Sequence, residues 1–319
     1  MKRLYKDVPL GSTNTGRFLH RSLVTLVYDI LSSHEVSRPL RDGQERVLIL
    51  SDTGCRPGWI PDFRVLADKL RRSPKVDFEN IAAVIFNGDT VFTGSERNYR
   101  RARRVIEQEF PGVHRLFNIG NHELGIPWPG RMRETVDRRV QRYQKFFHSP
   151  LNWRKVIGGV QYIGLDSSHK RLAPGTLEYL DESLSMHPSN VVLIHIPPML
   201  RPQWRGRTLF SSDTLGFLQI LDRHPGRVIA CTYGHIHCND RLVRNGVVHQ
   251  LAGTGGAMSM VRSHSHYGEA SGSYAAILID PGMRGAQRVS LITSHAQRPR
   301  AKAKAKEAAN VRIAVSMGV

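Results

Sequence analysis

The sequence predicts an α/β fold in which two β-sheets pack face to face between layers of helix, a four-layer αββα sandwich. The first observation behind this is alternation. Up to about residue 232, short apolar runs take turns with amphipathic helical patterns, which implies a central sheet covered by helices. The second is that the last apolar runs follow one another with no helical pattern between them, which predicts a second and more antiparallel layer. The third is local: the early runs each stop at a cluster of polar residues, so strand ends deliver polar side chains to one edge.

Taken in order, Arg46 to Ser51 reads as a buried strand ending at Asp52, and Ile81 to Phe86 as one ending at Asn87-Gly88-Asp89. His114 to Asn118 is a third, ending at Gly120-Asn121-His122-Glu123. Pro61 to Arg72 and Glu96 to Glu109 carry helical periodicity between them, the second with Arg100, Arg101, Arg103 and Arg104 on an expected solvated face. Arg131 to Phe147 is predicted helical, with Val136, Val140, Tyr143 and Phe147 inward and Arg133, Arg138, Arg139 and Lys145 outward. Further strands are predicted at Gln161 to Leu165, Val191 to His195 and Arg227 to Thr232, with helices near Leu177 to Leu184 and Ser212 to Leu221. A hairpin follows, Arg241 to Val243 and Val247 to Leu251 about Asn245-Gly246, a dipeptide suited to a two-residue turn. Tyr274 to Ile279 and Arg288 to Ile292 close the sheet region.

At 319 residues, 40% apolar and 23% charged, the chain can bury a large core and is expected to form one main domain. We place that domain at 45–296, between an N-terminal extension over 1–44 and a basic tail over 297–319 that interleaves Arg298, Arg300, Lys302, Lys304 and Lys306 with Ala and Pro. In the extension, Phe18, Leu19, Leu23, Val24, Val27, Ile30 and Leu31 fall at helical spacing. A mitochondrial presequence shows such a pattern, but Asp7, Asp29 and Glu35 are unwelcome in one. A helix packing on the domain and a cytoplasmic location are therefore expected, with the mitochondrion as the alternative. No run approaches the ~18 apolar residues that span a bilayer, and Met1-Lys2-Arg3 is not followed by a secretory signal. Cys55, Cys231 and Cys238 form neither an even set nor a paired ligand spacing, so reduced thiols are expected. The net charge of +19 attracts polyanions, acidic membrane surfaces or phosphorylated substrates, and makes nucleic acid a candidate partner.

Five clusters fall at predicted strand ends: Asp52-Thr53-Gly54, Gly88-Asp89, Gly120-Asn121-His122-Glu123, the strand-ending His195, and Gly234-His235-Ile236-His237. Their polar members are mainly carboxylate, amide and imidazole, a mixed oxygen and nitrogen set that suits Mn, Fe or Zn and argues against a soft thiolate site. Hydrolysis of a phosphate ester needs a nucleophile generated, aligned and charge-compensated. Two metals about 3.5 to 4 Å apart do all three, with one carboxylate bridging them. His20, His148 and His249 stand alone and are read as satisfied core or surface residues. Asp166-Ser167-Ser168 lacks the glycine elbow of a nucleophilic serine, and Gly253-Thr254-Gly255-Gly256 lacks the Lys-Ser/Thr of a P-loop, so both are read as structural.

In this order, Gly-Asp, Gly-Asn-His-Glu, a strand-ending His and Gly-His-Ile-His resemble the calcineurin-like metallophosphoesterases, over about residues 45–280. The resemblance implies the metallophosphoesterase sandwich over 45–296 and a phosphomonoesterase or phosphodiesterase acting through a water activated by two divalent ions. It also implies Asp89 as the bridging ligand, Asn121, His195 and His235 with it around one metal, and Asp52 and His237 with it around the other. His122 would contact phosphate and protonate the leaving oxygen, making His122, Asp89 and Asn121 the expected catalytic residues, with Glu123 orienting His122 or supporting the shell.

The sequence departs from the family in one place. The usual Asp-x-His is here Asp52-Thr53-Gly54, as in the Asp-x-Gly of purple acid phosphatases, but the metal-binding Tyr of those enzymes is replaced by Phe92. The site of Asp52, Asp89 and His237 therefore has three evident protein ligands and is expected to be the weaker; no tyrosinate-to-iron colour is expected. Two rival readings follow: a phosphoesterase-like binding protein with weak or no turnover, and a basic nucleic-acid-binding protein or nuclease.

Overall fold

A computed structural model describes residues 45–54, 60–125, 134–204, 206–253, 273–283 and 288–295. The expectations for the extension over 1–44, for Cys55, for the glycine-rich stretch at 254–256 and for the tail lie outside the described residues.

Among the described residues eleven strands and five α-helices follow in chain order: β1 (Arg46–Leu50), α1 (Ile60–Arg72), β2 (Ile81–Asn87), α2 (Glu96–Glu109), β3 (His114–Asn118), α3 (Val136–Phe147), β4 (Trp153–Ile157), β5 (Val160–Leu165), α4 (Thr176–Met186), β6 (Asn190–Ile194), α5 (Ser211–Arg223), β7 (Val228–Tyr233), β8 (Asn239–Arg244), β9 (Val247–Ala252), β10 (Ser273–Ile279) and β11 (Val289–His295). They build two sheets. The first runs β11-β10-β1-β2-β3, parallel through β1, β2 and β3; the second runs β4-β5-β6-β7-β9-β8, parallel from β5 to β9.

Three apolar clusters show the layering. Val47, Ile49, Ala83 and Ile85 of the first sheet meet Tyr162, Val191, Leu193, Ala230 and Val248 of the second in the central core. The alternate residues Leu48, Leu50, Val84 and Phe86 face outward onto Phe63 and Leu66 of α1, Tyr99 and Val105 of α2, and Tyr143 and Phe147 of α3. On the other side, Ile163, Val192, Ile194 and Tyr233 pack against Leu180 and Leu184 of α4 and Phe217 and Leu221 of α5. The result is helix, sheet, sheet, helix. Central strands buried on both faces read as continuous apolar runs rather than alternating ones, which is why they were legible.

Three expectations are corrected. The late strands do not form a layer of their own: β10 pairs antiparallel with β1 and β11 with β10, so both extend the first sheet, while the β8–β9 hairpin extends the second. An open sheet edge accepts a strand from any point in the chain, and no local pattern encodes which edge. Arg139 is not outward; it is buried, its guanidinium donating to the Leu124 carbonyl, and it lies beside Glu134. The helix itself begins later than predicted, at Val136, behind the Thr135 hydroxyl that accepts from Arg138 N–H. Strand β4 has no predicted counterpart. Arg154 and Lys155 break its apolar run, yet Trp153 packs directly over Gly164 of β5, where a Cβ would collide with the indole. Among the described residues no helix is long and apolar enough to cross a membrane.

Candidate metal centre

Parallel strands deliver their C-terminal ends to one edge of each sheet, and there the polar clusters converge. Asp52 follows β1, Asp89 follows β2 and Asn121 follows β3; His195 follows β6, and His235 and His237 follow β7. Asp52, Asp89, His235 and His237 all have positive φ, four of the seven such non-glycine residues among those described. Backbone strain is thus concentrated where the chain must turn sharply beneath these side chains. Two glycines make the approach feasible. At Gly88, with φ +82°, an added Cβ would lie 2.5 Å from His195 Cγ, and at Gly234 it would collide with Ser51 Oγ.

Two overlapping groups result. In Asp89, His195 and His235, and again in Asp52, Asp89 and His237, one donor atom per residue lies within 4.8 Å of the others, and Asp89 belongs to both. Asp89 Oδ2 is 3.1 Å from His195 Nε2 and 3.7 Å from His122 Nε2. Asp52 Oδ1 is 3.2 Å from His237 Nε2 and 3.9 Å from His195 Nε2. Asn121 Oδ1 is buried with no hydrogen-bond partner among the described residues.

Tautomers follow from the other ring atoms. His195 Nδ1 lies 2.9 Å from the Asn87 carbonyl, so it carries a proton and donates, which turns Nε2 toward Asp89. A neutral Nε2 lone pair against a carboxylate oxygen is repulsive, so this arrangement calls for a cation, either a proton on Nε2 or a metal between the groups. Burial opposes a charged His195, but Asp89 and Asp52 outweigh it and raise its pKa to about 10. Burial likewise opposes ionisation of Asp89, yet His122, His195 and His235 hold its carboxyl well below the usual range. His235 is pushed down to about 3 by burial and by its neighbour His195, so it stays a neutral imidazole.

His122 sits beside this cluster. Its Nδ1 donates to the Phe92 carbonyl at 2.7 Å, leaving Nε2 toward Asp89, and its own N–H donates to Asp89 Oδ1 at 2.8 Å. Burial lowers its pKa, but Asp89 and the Phe92 carbonyl raise it further, for a net upward shift. Glu123 does not reach the His122 ring. It accepts from the N–H groups of Asp89 (2.9 Å), Thr90 (2.7 Å), Val91 (3.1 Å) and Gly120 (2.8 Å), tying the Asp89 loop to the Asn121 loop. Phe92 contributes its carbonyl and a ring 5.6 Å from that of His122, and Gly54 its N–H, to the Asp89 carbonyl.

The sequence reading missed Ser51, whose Oγ lies 2.8 Å from Asp52 Oδ2, and gave no role to Asn87 or Asn118. A polar residue closing an apolar strand run was the available signal. Of the residues read as structural, His249 contacts the Tyr233 hydroxyl at 2.6 Å, and Ser167 Oγ accepts from Ile196 N–H. Cys231 and Cys238 are buried free thiols.

The donor set, oxygens and imidazole nitrogens with one uncommitted amide oxygen, fits a first-row divalent ion better than a soft one. The fold is the metallophosphoesterase sandwich, the class that the sequence motifs resemble. In particular, a dimetal phosphatase from Danio rerio aligns over 80% of this chain and 100% of its own, with TM-score 0.50 and 14% identity. A purple acid phosphatase from yellow lupin (Lupinus luteus) seeds aligns over 74% of this chain and 49% of its own, with TM-score 0.53 and 15% identity. By sequence, a 3',5'-cyclic-nucleotide phosphodiesterase of Nostoc sp. is 25% identical over 167 residues, 51% of this chain and only 59% of the relative's length. No family model matches the chain.

Proposed function

We propose that the protein is a metal-dependent hydrolase of phosphate esters that holds two divalent ions, with Asp89 shared between them. Asn121, His195 and His235 would complete one site, and Asp52 and His237 the other. The observation that carries this reading is the pair of donor groups meeting at Asp89; the Asn121 amide oxygen is buried and uncommitted, on the residue next to His122, whose main-chain N–H donates to Asp89. The names of the relatives, a phosphodiesterase and two phosphatases, support the substrate class.

Divalent ions in these sites would lower the pKa of a water and neutralise charge on a phosphate group. The chain's own residues do the rest. His122, with Nδ1 held by the Phe92 carbonyl, keeps Nε2 free to give a proton to a leaving oxygen. His195 is locked by the Asn87 carbonyl in the tautomer that presents Nε2 to the centre. Asp52 is fixed at both oxygens by the His235 N–H. Since Gly54 and Phe92 offer no side-chain donor, the Asp52 side has three evident protein ligands among the described residues and is the one expected to lose its ion first.

The test is turnover of p-nitrophenyl phosphate and of its bis ester after chelation, then with Mn, Fe, Zn or Mg restored, alongside Asp89→Asn and His195→Ala. Metal-restored turnover in the wild type and its loss in both folded variants is expected. Unchanged turnover in either variant would sink the site assignment, and no turnover with any metal would favour a binding protein.

A further inference from the structure

Two buried asparagines join the sheets at the foot of the ligand loops. Asn87 ends β2 and Asn118 ends β3, directly opposite each other in the parallel ladder, and neither is more than 1% exposed. Asn118 Nδ2 donates to Asn87 Oδ1 at 3.0 Å and reaches across to the second sheet, to the Leu193 carbonyl at 3.2 Å and the Leu165 carbonyl at 3.3 Å. Asn87 Nδ2 donates to the Thr232 carbonyl at 3.1 Å and the Ile194 carbonyl at 3.3 Å. Two side chains of the first sheet therefore hold β5, β6 and β7 of the second. The main-chain oxygen of Asn87 also accepts from His195 Nδ1, so one residue fixes a ligand's tautomer and that ligand's strand together.

The chemistry argues for a purpose beyond packing. Amides in an apolar interior are costly unless bonded, and both positions continue runs, Ile81 to Phe86 and Leu116 to Phe117, where an aliphatic side chain would bury without that cost. Apolar contact between the sheets is non-directional and tolerates small slides, whereas hydrogen bonds to four specified carbonyls do not. The spacing matters because the candidate ligands are divided: Asp52, Asp89 and Asn121 come from the first sheet, His195, His235 and His237 from the second.

We propose that Asn87 and Asn118 are positioning residues that clamp the two sheets and thereby set the affinity of the centre for divalent ions. The clamp rests on the metal reading given above and adds to it the device that holds the two ligand sets at a common distance.

The experiment is calorimetric titration of Mn into wild type, Asn118→Leu and Asn118→Ser, with melting temperatures for each. Leu184→Ala, in the core between the second sheet and α4, serves as a control that loses stability without removing either asparagine amide. Expected is a loss of roughly 10- to 100-fold in Mn affinity for Asn118→Leu, as for other groups that orient metal ligands. Asn118→Ser, which keeps a donor, should recover part of it, and Leu184→Ala should bind as wild type despite its lower melting temperature. If Asn118→Leu does not fold, Asn118→Ser and Asn87→Ser carry the same comparison against the control. Wild-type affinity in the folded asparagine variants, or an equal loss in Leu184→Ala, overturns the clamp alone. A wild-type chain that binds neither Mn nor, in a parallel titration, Zn overturns the metal reading, and the clamp with it.

Discussion

Glu123 illustrates how much of the centre is held by groups that touch no ligand atom. Its fully buried carboxylate collects four backbone N–H groups from two loops. Burial and the nearby Asp89 push its pKa up to about 7 while those donors pull the other way. Glu123→Ala would leave the N–H groups buried without an acceptor, each costing about 1–3 kcal/mol. A loss of at least about 3 kcal/mol in urea unfolding is therefore expected, allowing for partial rescue by water. Glu123→Gln, which keeps one acceptor oxygen, should lose less; equal stability of wild type and Glu123→Ala would contradict this account. The motif placed Glu123 near the centre, but its target, backbone rather than the His122 ring, was not legible, because a carboxylate's partners depend on which loops meet.

Among the elements, the β8–β9 hairpin shows local chemistry deciding structure. Asn245 (φ 49°) and Gly246 (φ 80°) both adopt the left-handed conformation that a two-residue turn of matching twist requires. Apart from the adjoining residues, no atom lies within 4 Å of where a Gly246 Cβ would sit, so Gly246→Ala isolates the backbone cost. A destabilisation of about 1–2 kcal/mol is expected by chemical denaturation; a neutral result would mean the hairpin relaxes at no cost. The contrast is β4, an edge strand whose place depends on Trp153 lying over Gly164, a partner outside the segment itself. The same holds for Arg139, which periodicity assigned to solvent but the Leu124 carbonyl draws inward.

For the molecule as a whole, acid should weaken the fold through a buried histidine outside the candidate ligand set. His249, 1% exposed on β9 between Cys231 of β7 and Leu242 of β8, has its pKa pushed down to about 4 by burial, with Arg244 adding to the effect. The unfolded chain, where histidine titrates near 6.5, then binds the proton more readily than the folded one. Its contribution to stability is fully present above about pH 6.5 and is lost as the pH falls toward 4. Urea unfolding between those limits should show a slope shallower in His249→Gln than in wild type by up to about 1.4 kcal/mol per pH unit. Identical slopes would show that His249 is protonated without penalty.

Ten of the eleven described strands, the hairpin among them, and the gathering of the six candidate ligands at strand ends were legible in the chain, because buried parallel strands write themselves as apolar runs and their polar ends follow at once. Local sequence carries that information since strand formation, turn chemistry and the residue after a strand are short-range matters. The assignment of β10 and β11 to the first sheet, the inward Arg139, the Glu123 strap and the Asn87–Asn118 bridge were not, since each depends on a partner from another element. Hydrogen bonds are directional and the sheets' apolar faces are not, so their positions follow only once the two sheets have closed on each other.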